Sequence, residues 1–304
     1  MNGLRVAPGI RFLAGTRLFQ RWGSHTAVSE SKGMAENVVC RMGLLDGVPD
    51  SYGGLTVEVK ESMDPSVFSP MLEASIKGWK QQGKKGVWIK LPIEQSNLVH
   101  SVVQQGFRYH HAESNYVMLV RWLADGTPDS LPANASHRVG IGAFVLNDKN
   151  EVLVVQENSG KFKGTDVWKL PTGVVNEGED IWKAAAREVK EETGIETEFI
   201  EVLTFRQSHR SFHTKSDLMF VCLLRPSSTN IDKDDGEIAA AKWMSVEEYI
   251  GQPFVRENKQ FYYIAKICAK KAAEGDAYPG LGLLAATSRT KTNYIYCHNP
   301  ESLL

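Results

Sequence analysis

The chain has 304 residues, 42% of them hydrophobic and 23% charged, with a formal net charge of −1 at pH 7. That length suggests two domains and that composition an ordinary globular protein, while the near-neutral charge gives no electrostatic case for bulk nucleic-acid binding and no apolar run reaches the length needed to span a bilayer. Cys40, Cys222, Cys268 and Cys297 are scattered without CxxC or zinc-type spacing, so they read as reduced thiols of an intracellular protein.

Residues 1–35 read as a leader. Arg5, Arg11, Arg17 and Arg21 stand among Ser and Thr with no acid before Glu30, the composition of a transit peptide to mitochondrion or plastid. The arginines do not segregate from the hydrophobic positions on a helical wheel, and Met34 precedes an alternative start, so a cytoplasmic protein with a disordered leader stays open beside it.

Residues 36–125 read as a compact α/β unit. Gly53–Val59 is a turn followed by a strand, Pro70–Gln82 a helix, Gly86–Leu91 a strand, Ser96–Gln105 a helix ended by Gly106, and Tyr116–Trp122 a strand. His110 and His111 are adjacent on an extended segment, which is expected to point them to opposite faces and so keep them from chelating one ion. Residues 126–136 form a linker within the Pro-, Asp-, Ser- and Gly-rich stretch Asp125–Ala135.

Residues 137–274 turn to short strands rich in β-branched and aromatic residues. Val139–Leu146, Val152–Gln156 and Trp168–Leu170 precede a helix. Phe199–Gln207, Leu218–Leu224 and Ala241–Met244 follow it as strands, and Pro253–Ala273 reads as one long helix. Residues 275–304 read as an irregular tail.

The helix of the second domain carries the chemistry. In GVVNEGEDIWKAAAREVKEETGI, residues 173–195, Trp182, Ala185, Ala186 and Val189 recur at helical spacing as a buried arc. Glu188, Glu191 and Glu192 fall at i, i+3 and i+4, so their carboxylates leave a neighbouring arc of the same helix. Like charges that close raise each other's pKa unless a cation neutralises them, and a hard divalent ion such as Mg²⁺ takes carboxylate oxygens together with substrate phosphates. Arg187 is placed to orient these acids or to pair with Glu179, two turns earlier. Gly194 closes the helix, where a left-handed residue is wanted.

The spacing of Gly173, Glu179, the Arg187–Glu192 run, Gly194 and Ile195 is a complete match to the Nudix box, so the chain resembles the Nudix hydrolases, which cleave nucleoside diphosphates linked to another moiety. With LPANASHRVG, EVLVVQE, WKLPTG, FRQSH, KSDLMF and AAKWM, the resemblance extends over roughly residues 36–270 and is to the plant two-domain ADP-ribose and NADH pyrophosphatases. It departs from the general pattern at Thr172, where Gly is usual. The implied fold is a Nudix α/β/α sandwich preceded by a smaller α/β domain like part of an acetyltransferase. That first domain lacks an acyl-carrier pyrophosphate loop and so reads as a structural, dimerising or substrate-shaping module.

The resemblance implies Mg²⁺, with Mn²⁺ as an alternative, held by Glu188, Glu191, Glu192 and the Gly173 carbonyl. The general base is Glu188 or Glu237, the latter on the acidic loop before Trp243, with Asp234 and Asp235 as competitors. Arg187 completes the catalytic set. Within the basic run Arg206, His209, Arg210, His213 and Lys215, Arg206 and His209 are the candidates to grip a small-molecule diphosphate. The implied assembly is a homodimer and the implied products are AMP with ribose 5-phosphate or reduced nicotinamide mononucleotide. Another nucleoside diphosphate derivative, such as a nucleotide sugar or a coenzyme A derivative, or a non-catalytic nucleotide-binding module, stays open.

Overall fold

The structure, a computed structural model, describes residues 43–287 and 291–303; the expected leader and Cys40 lie outside them. The chain divides into two compact units between Asn134 and Ala135. Among the described residues no helix is long and apolar enough to cross a membrane.

The first unit runs β1 (Val48–Pro49), β2 (Leu55–Glu58), α1 (Pro65–Gln81), β3 (Gly86–Pro92), a 3-10 turn (Ile93–Leu98), α2 (Val99–Gln104), β4 (Arg108–Glu113) and β5 (Tyr116–Trp122). Its sheet has the order β1-β2-β3-β5-β4, with β2 and β3 parallel and the other pairs antiparallel. Helix α1 starts earlier than its apolar pattern suggests. Asp64 caps it, accepting from Ser66 N at 2.8 Å, and Pro65 takes the first turn, where its missing N–H costs nothing. Phe68, Leu72 and Trp79 then pack on Val87, Ile89, Leu91 and Leu119 as one core.

The two histidines of β4 differ from expectation. A register shift between Tyr109 and His111, the signature of a bulge, cancels the strict alternation, and the Nδ1 atoms of His110 and His111 lie 2.7 Å apart. His110 Nε2 meets the Pro132 carbonyl at 3.0 Å and His111 Nε2 the Tyr116 hydroxyl at 3.2 Å. The pair is satisfied within its own unit.

The second unit contains β6 (His137–Val145), β7 (Glu151–Glu157), β8 (Thr172–Val174), α3 (Ile181–Thr193), β9 (Thr197–Phe212), β10 (Lys215–Pro226), β11 (Ile238–Ser245), α4 (Val246–Gly251), α5 (Pro253–Glu257), α6 (Lys259–Glu274), β12 (Gly282–Thr287) and β13 (Thr292–Cys297). One sheet has the order β8-β6-β10-β9, with β6 parallel to β10, and β7 pairs with β11 in another. The second half of β6, residues 141–145, is buried on both faces, as its run of small and apolar residues requires. Ile141, Ala143 and Val145 meet Ala184, Ala185 and Val189 of α3. Phe144 meets the opposite layer, with Tyr249 of α4, Val255 of α5 and Ala265 and Cys268 of α6. The architecture is an α/β/α sandwich.

Three sequence readings shift here. The buried arc of α3 is Ala184, Ala185 and Val189, with Trp182 only partly covered. The single helix expected over Pro253–Ala273 is two, because Asn258 adopts an extended conformation (φ −102°, ψ 97°) and its amide donates to Phe254 O at 2.8 Å. The tail is a β12–β13 antiparallel hairpin rather than irregular chain. Its Tyr294 stands edge-on to Trp182, with ring centroids 5.8 Å apart, and Leu281 exchanges backbone hydrogen bonds with Val202. The hairpin is anchored by a buried ion pair, Lys271 Nζ to Glu201 Oε1 at 2.6 Å, while Glu201 Oε2 accepts from Gly280 N at 2.7 Å.

Candidate active site

The site is built where β8 leads into α3. Strand β8 pairs with β6 through Gly173 and Ile141, and this places the Gly173 backbone directly under the side chain of Glu188. A Cβ added at Gly173 would lie 1.8 Å from Glu188 Cδ. Glycine here serves close approach, not an unusual φ: any larger residue would have to push the Glu188 carboxyl out of this position.

Arg187 organises the acids. Its Nε and Nη2 donate to the two oxygens of Glu179 at 2.8 and 2.9 Å, and Nη2 donates also to Val174 O at 3.0 Å. Its Nη1 donates to Glu188 Oε1 and to Glu191 Oε2, both at 2.8 Å. Every guanidinium N–H is used. The hydrogen bonds from Arg187 hold the Glu179 carboxyl below its ordinary pKa, and Glu179 in turn drives the guanidinium pKa further up. At the far end Gly194 takes a left-handed φ of 71°, and its N–H donates to Lys190 O at 2.8 Å.

The metal candidates have different environments. Glu192 is 5% exposed, its Oε2 has no hydrogen-bond partner among the described residues, and burial pushes its pKa up to about 8 against the opposing charge of Lys169. Glu188 is also raised, by burial first and then by repulsion from Glu191 and Glu237, with Arg187 opposing. Glu191 is exposed. Among the described residues no three His, Cys, Asp or Glu side chains form a ready chelate, because Glu188 and Glu191 are turned onto Arg187. The donor set nonetheless fits a hard divalent cation: oxygen ligands only, one of them a buried carboxylate oxygen without a partner, whose desolvation a cation would offset.

Glu237 is exposed just before β11, where its carbonyl accepts from Asn158 N at 2.8 Å, and its charge reaches Glu188. Its competitors are engaged locally: Asp234 accepts from Gly236 N at 2.9 Å and Asp235 pairs with Lys233. Lys169 and Glu157 belong to the site and are not singled out by the sequence, where Thr172 stands out only as a departure from the usual Gly. Lys169 Nζ pairs with Glu157 and donates to Thr172 Oγ1 at 2.9 Å. The lysine of WKLPTG, two residues before an apolar-to-glycine turn, was the available signal.

Beside Gly173 opens a cavity of about 410 Å³, walled by β6, β8, β10 and α6 and lined by Lys169, Thr172, Phe162, Arg206, Gln260 and Phe261 among others. That size suits a small-molecule ligand. Of the two basic candidates, Arg206 lines this cavity and His209 does not; His209 is exposed and its Nδ1 meets Ser216 Oγ at 2.9 Å.

Residues 45–123 match the family described as the Nudix hydrolase domain and residues 136–266 the family described as the NUDIX domain. Nudix hydrolase 7 of Arabidopsis thaliana is 53% identical over 258 residues, 84% of this chain and 90% of that one. Nudix hydrolase 6 of the same plant is 52% identical, over 86% of this chain and 93% of that one. Nucleoside diphosphate-linked moiety X motif 6 of Homo sapiens is 36% identical over 67% of this chain and 66% of that one.

Proposed function

Because the chain belongs to the Nudix hydrolase family, we propose that it is a divalent-metal-dependent pyrophosphatase acting on ADP-ribose, NADH or both, and that it works as a homodimer. The products are AMP with ribose 5-phosphate, or AMP with reduced nicotinamide mononucleotide. The observation that carries this reading is the buried Glu192 carboxylate, with an oxygen lacking a partner among the described residues, whose charge is coupled to Lys169 of a cavity sized for a small ligand.

Glu188, Glu191, Glu192 and the Gly173 carbonyl would hold Mg²⁺ or Mn²⁺, which when bound neutralises charge on the diphosphate oxygens and lowers the pKa of water. The chain's own groups do the rest. Glu188, its pKa raised by burial, accepts the proton of the attacking water, with Glu237 the alternative acceptor on the facing loop. Arg187 fixes the rotamers of Glu188 and Glu191 through the hydrogen bonds of its Nη1. Lys169, tied to Glu157 and Thr172 at the cavity wall, sets an N–H donor at the edge of the site where it can orient a diphosphate oxygen.

The test is turnover of a panel (ADP-ribose, NADH, a nucleotide sugar and a coenzyme A derivative) by the full chain with Mg²⁺. Hydrolysis of ADP-ribose or NADH at a kcat/KM at least about tenfold above the others supports the reading. Preference for another member, or no turnover of any, refutes it. Light scattering at twice the chain mass supports the dimer, and a monomeric mass refutes it.

A further inference from the structure

The wall of the cavity carries a polar group that the hydrolytic chemistry does not use. Strand pairing creates it. Arg206 of β9 stands directly opposite Met219 of β10, and Ser208 opposite Asp217. Directly opposed residues, and those two apart on one strand, share a face, so Arg206, Asp217, Met219 and Val221 all look into the cavity they line. Helix α6 lays Gln260, Phe261 and Ile264 over the same space.

Within this group Arg206 is held rather than free. Its Nη2 lies 3.2 Å from Asp217 Oδ2 and its Nη1 donates to Ser208 Oγ at 3.0 Å. With the Gln260 amide oxygen turned toward it, Gln260 accepts from Arg206 Nη1 at 2.9 Å and Nε at 3.0 Å. A guanidinium so occupied is poorly suited to fork a diphosphate, which needs two parallel N–H groups. Nη2 keeps a proton beyond the ion pair, and apart from that ion pair Asp217 accepts no hydrogen bond among the described residues, although its side chain is only 20% exposed. The cavity thus offers one donor and one acceptor side by side. Next to them stand apolar walls that include Phe162 and Phe261, whose ring centroids are 6.3 Å apart at an interplanar angle of 86°.

We propose that Arg206 and Asp217, held in place by Gln260, select the substrate by reading the edge of a flat nitrogen ring that presents an acceptor and an N–H donor next to each other. Adenine has that edge along N1 and N6, and the nicotinamide ring has it in its carboxamide. Arg206 Nη2 donates to the ring's acceptor and Asp217 Oδ1 accepts from its N–H, while the ring lies against Phe162 and Phe261. A carboxylate is an acceptor only, so an edge with the order reversed, as in hypoxanthine, or one bearing a carboxylate, leaves two acceptors facing each other. Rejection then comes from an unpaired polar group in a poorly solvated place. This inference rests on the reading of the chain as a pyrophosphatase of ADP-ribose or NADH.

The experiment measures kcat/KM of the full-length wild type and of Asp217→Asn for four substrates with Mg²⁺: ADP-ribose, inosine diphosphate ribose, NADH, and the NADH analogue with a carboxylate in place of the carboxamide. The asparagine amide can turn to donate or accept, so it keeps the volume and abolishes the discrimination. In the wild type at least one pair, amine against inosine or carboxamide against carboxylate, should differ by about tenfold or more, the factor expected for one mispaired hydrogen-bonding group. In Asp217→Asn that ratio should fall to within about threefold of one, mainly through KM, because the contact exists equally in the ground and transition states. The pair that responds identifies which ring sits here. A structural role for Asp217 would instead depress all four substrates alike. Gln260→Met, at an exposed position, releases Arg206 from its clamp and reads out the same ratio if Asp217→Asn does not fold. Wild-type ratios near one, or ratios unchanged in the variants, overturn the assignment while leaving the pyrophosphatase reading intact. Loss of all turnover of ADP-ribose and NADH in the wild type overturns that reading, and the assignment with it.

Discussion

Replacing Glu192 by Gln should stabilise the metal-free protein at alkaline pH while destroying its metal-dependent turnover. Glu192 is 5% exposed and burial lifts its pKa from 4.5 to about 8. An acid whose folded pKa is raised binds its proton more tightly in the native state. The stability tied to that proton is fully present below about pH 4.5 and is lost as pH rises toward about 8. Integrating between those values gives a penalty on the order of 3 kcal/mol by pH 7 and 4 kcal/mol by pH 8. Lys169 already offsets part of the burial cost. A glutamine at this position would carry no charge, so the variant should escape most of the penalty. At roughly 2–4 °C per kcal/mol for a unit of this size, its melting temperature in a chelator should exceed that of the wild type by several degrees at pH 8. Near pH 5 the two should converge. Added Mg²⁺ should raise the melting temperature of the wild type at pH 8, because a ligand bound only by the native state stabilises it, and should raise that of the variant much less. The assay is thermal unfolding followed by circular dichroism at pH 5 and pH 8, with chelator or Mg²⁺. A melting-temperature difference that is the same at both pH values, or a variant less stable than the wild type at pH 8, would refute the reasoning.

Gly173→Ala should fold but lose at least about 100-fold in turnover, since its Cβ would displace a Glu188 carboxyl now 1.8 Å from that point and an ångström of misplacement costs about that much; near-normal kcat would rule out the close approach. Arg187→Lys should lower kcat about 10- to 100-fold with little change in melting temperature, because an ammonium cannot serve Glu179, Glu188 and Glu191 at once; unchanged kcat would show that the acids orient themselves. Lys271→Met should cost about 3–5 kcal/mol by leaving the Glu201 carboxylate buried without its cation, and adding Glu201→Leu should recover part of it, less the lost Gly280 hydrogen bond, both read by urea unfolding. If the double variant is no better than the single, the ion pair does not anchor the tail hairpin. A chain starting at Ser136 should keep hydrolysis of the diphosphate but run at the mass of a monomer, and a dimeric product with unchanged kinetics would deny the first unit its proposed role.

The parts of the site that were legible in the sequence are those whose partners lie within one helix and the turn before it. Helical periodicity puts Glu188, Glu191 and Glu192 on one helix within two turns, and the pairing of Arg187 with Glu179 follows from their spacing. The parts that were not legible depend on backbone events without a local signal. A bulge in β4 brings His110 and His111 side by side, and one extended residue, Asn258, splits the last long helix. The tail hairpin is held by Glu201 and Lys271, whose pairing across the fold no window of sequence displays. The cavity wall is the extreme case. Arg206, Asp217 and Gln260 come from three segments, and only the register of β9 on β10 and the crossing of α6 make them neighbours. Read along the chain, Arg206 belongs to a basic run with His209, Arg210, His213 and Lys215, which suggested a grip on phosphate. In the fold that run separates: His209 is exposed on Ser216 and Lys215 donates to Ala135 O, while Arg206 alone enters the cavity with its charge matched by Asp217. A cation already paired contributes orientation more than attraction. That is why the acids of the box speak to diphosphate chemistry, which requires carboxylates for a metal, whereas the choice of substrate falls to neutralised groups that discriminate by the direction of a hydrogen bond.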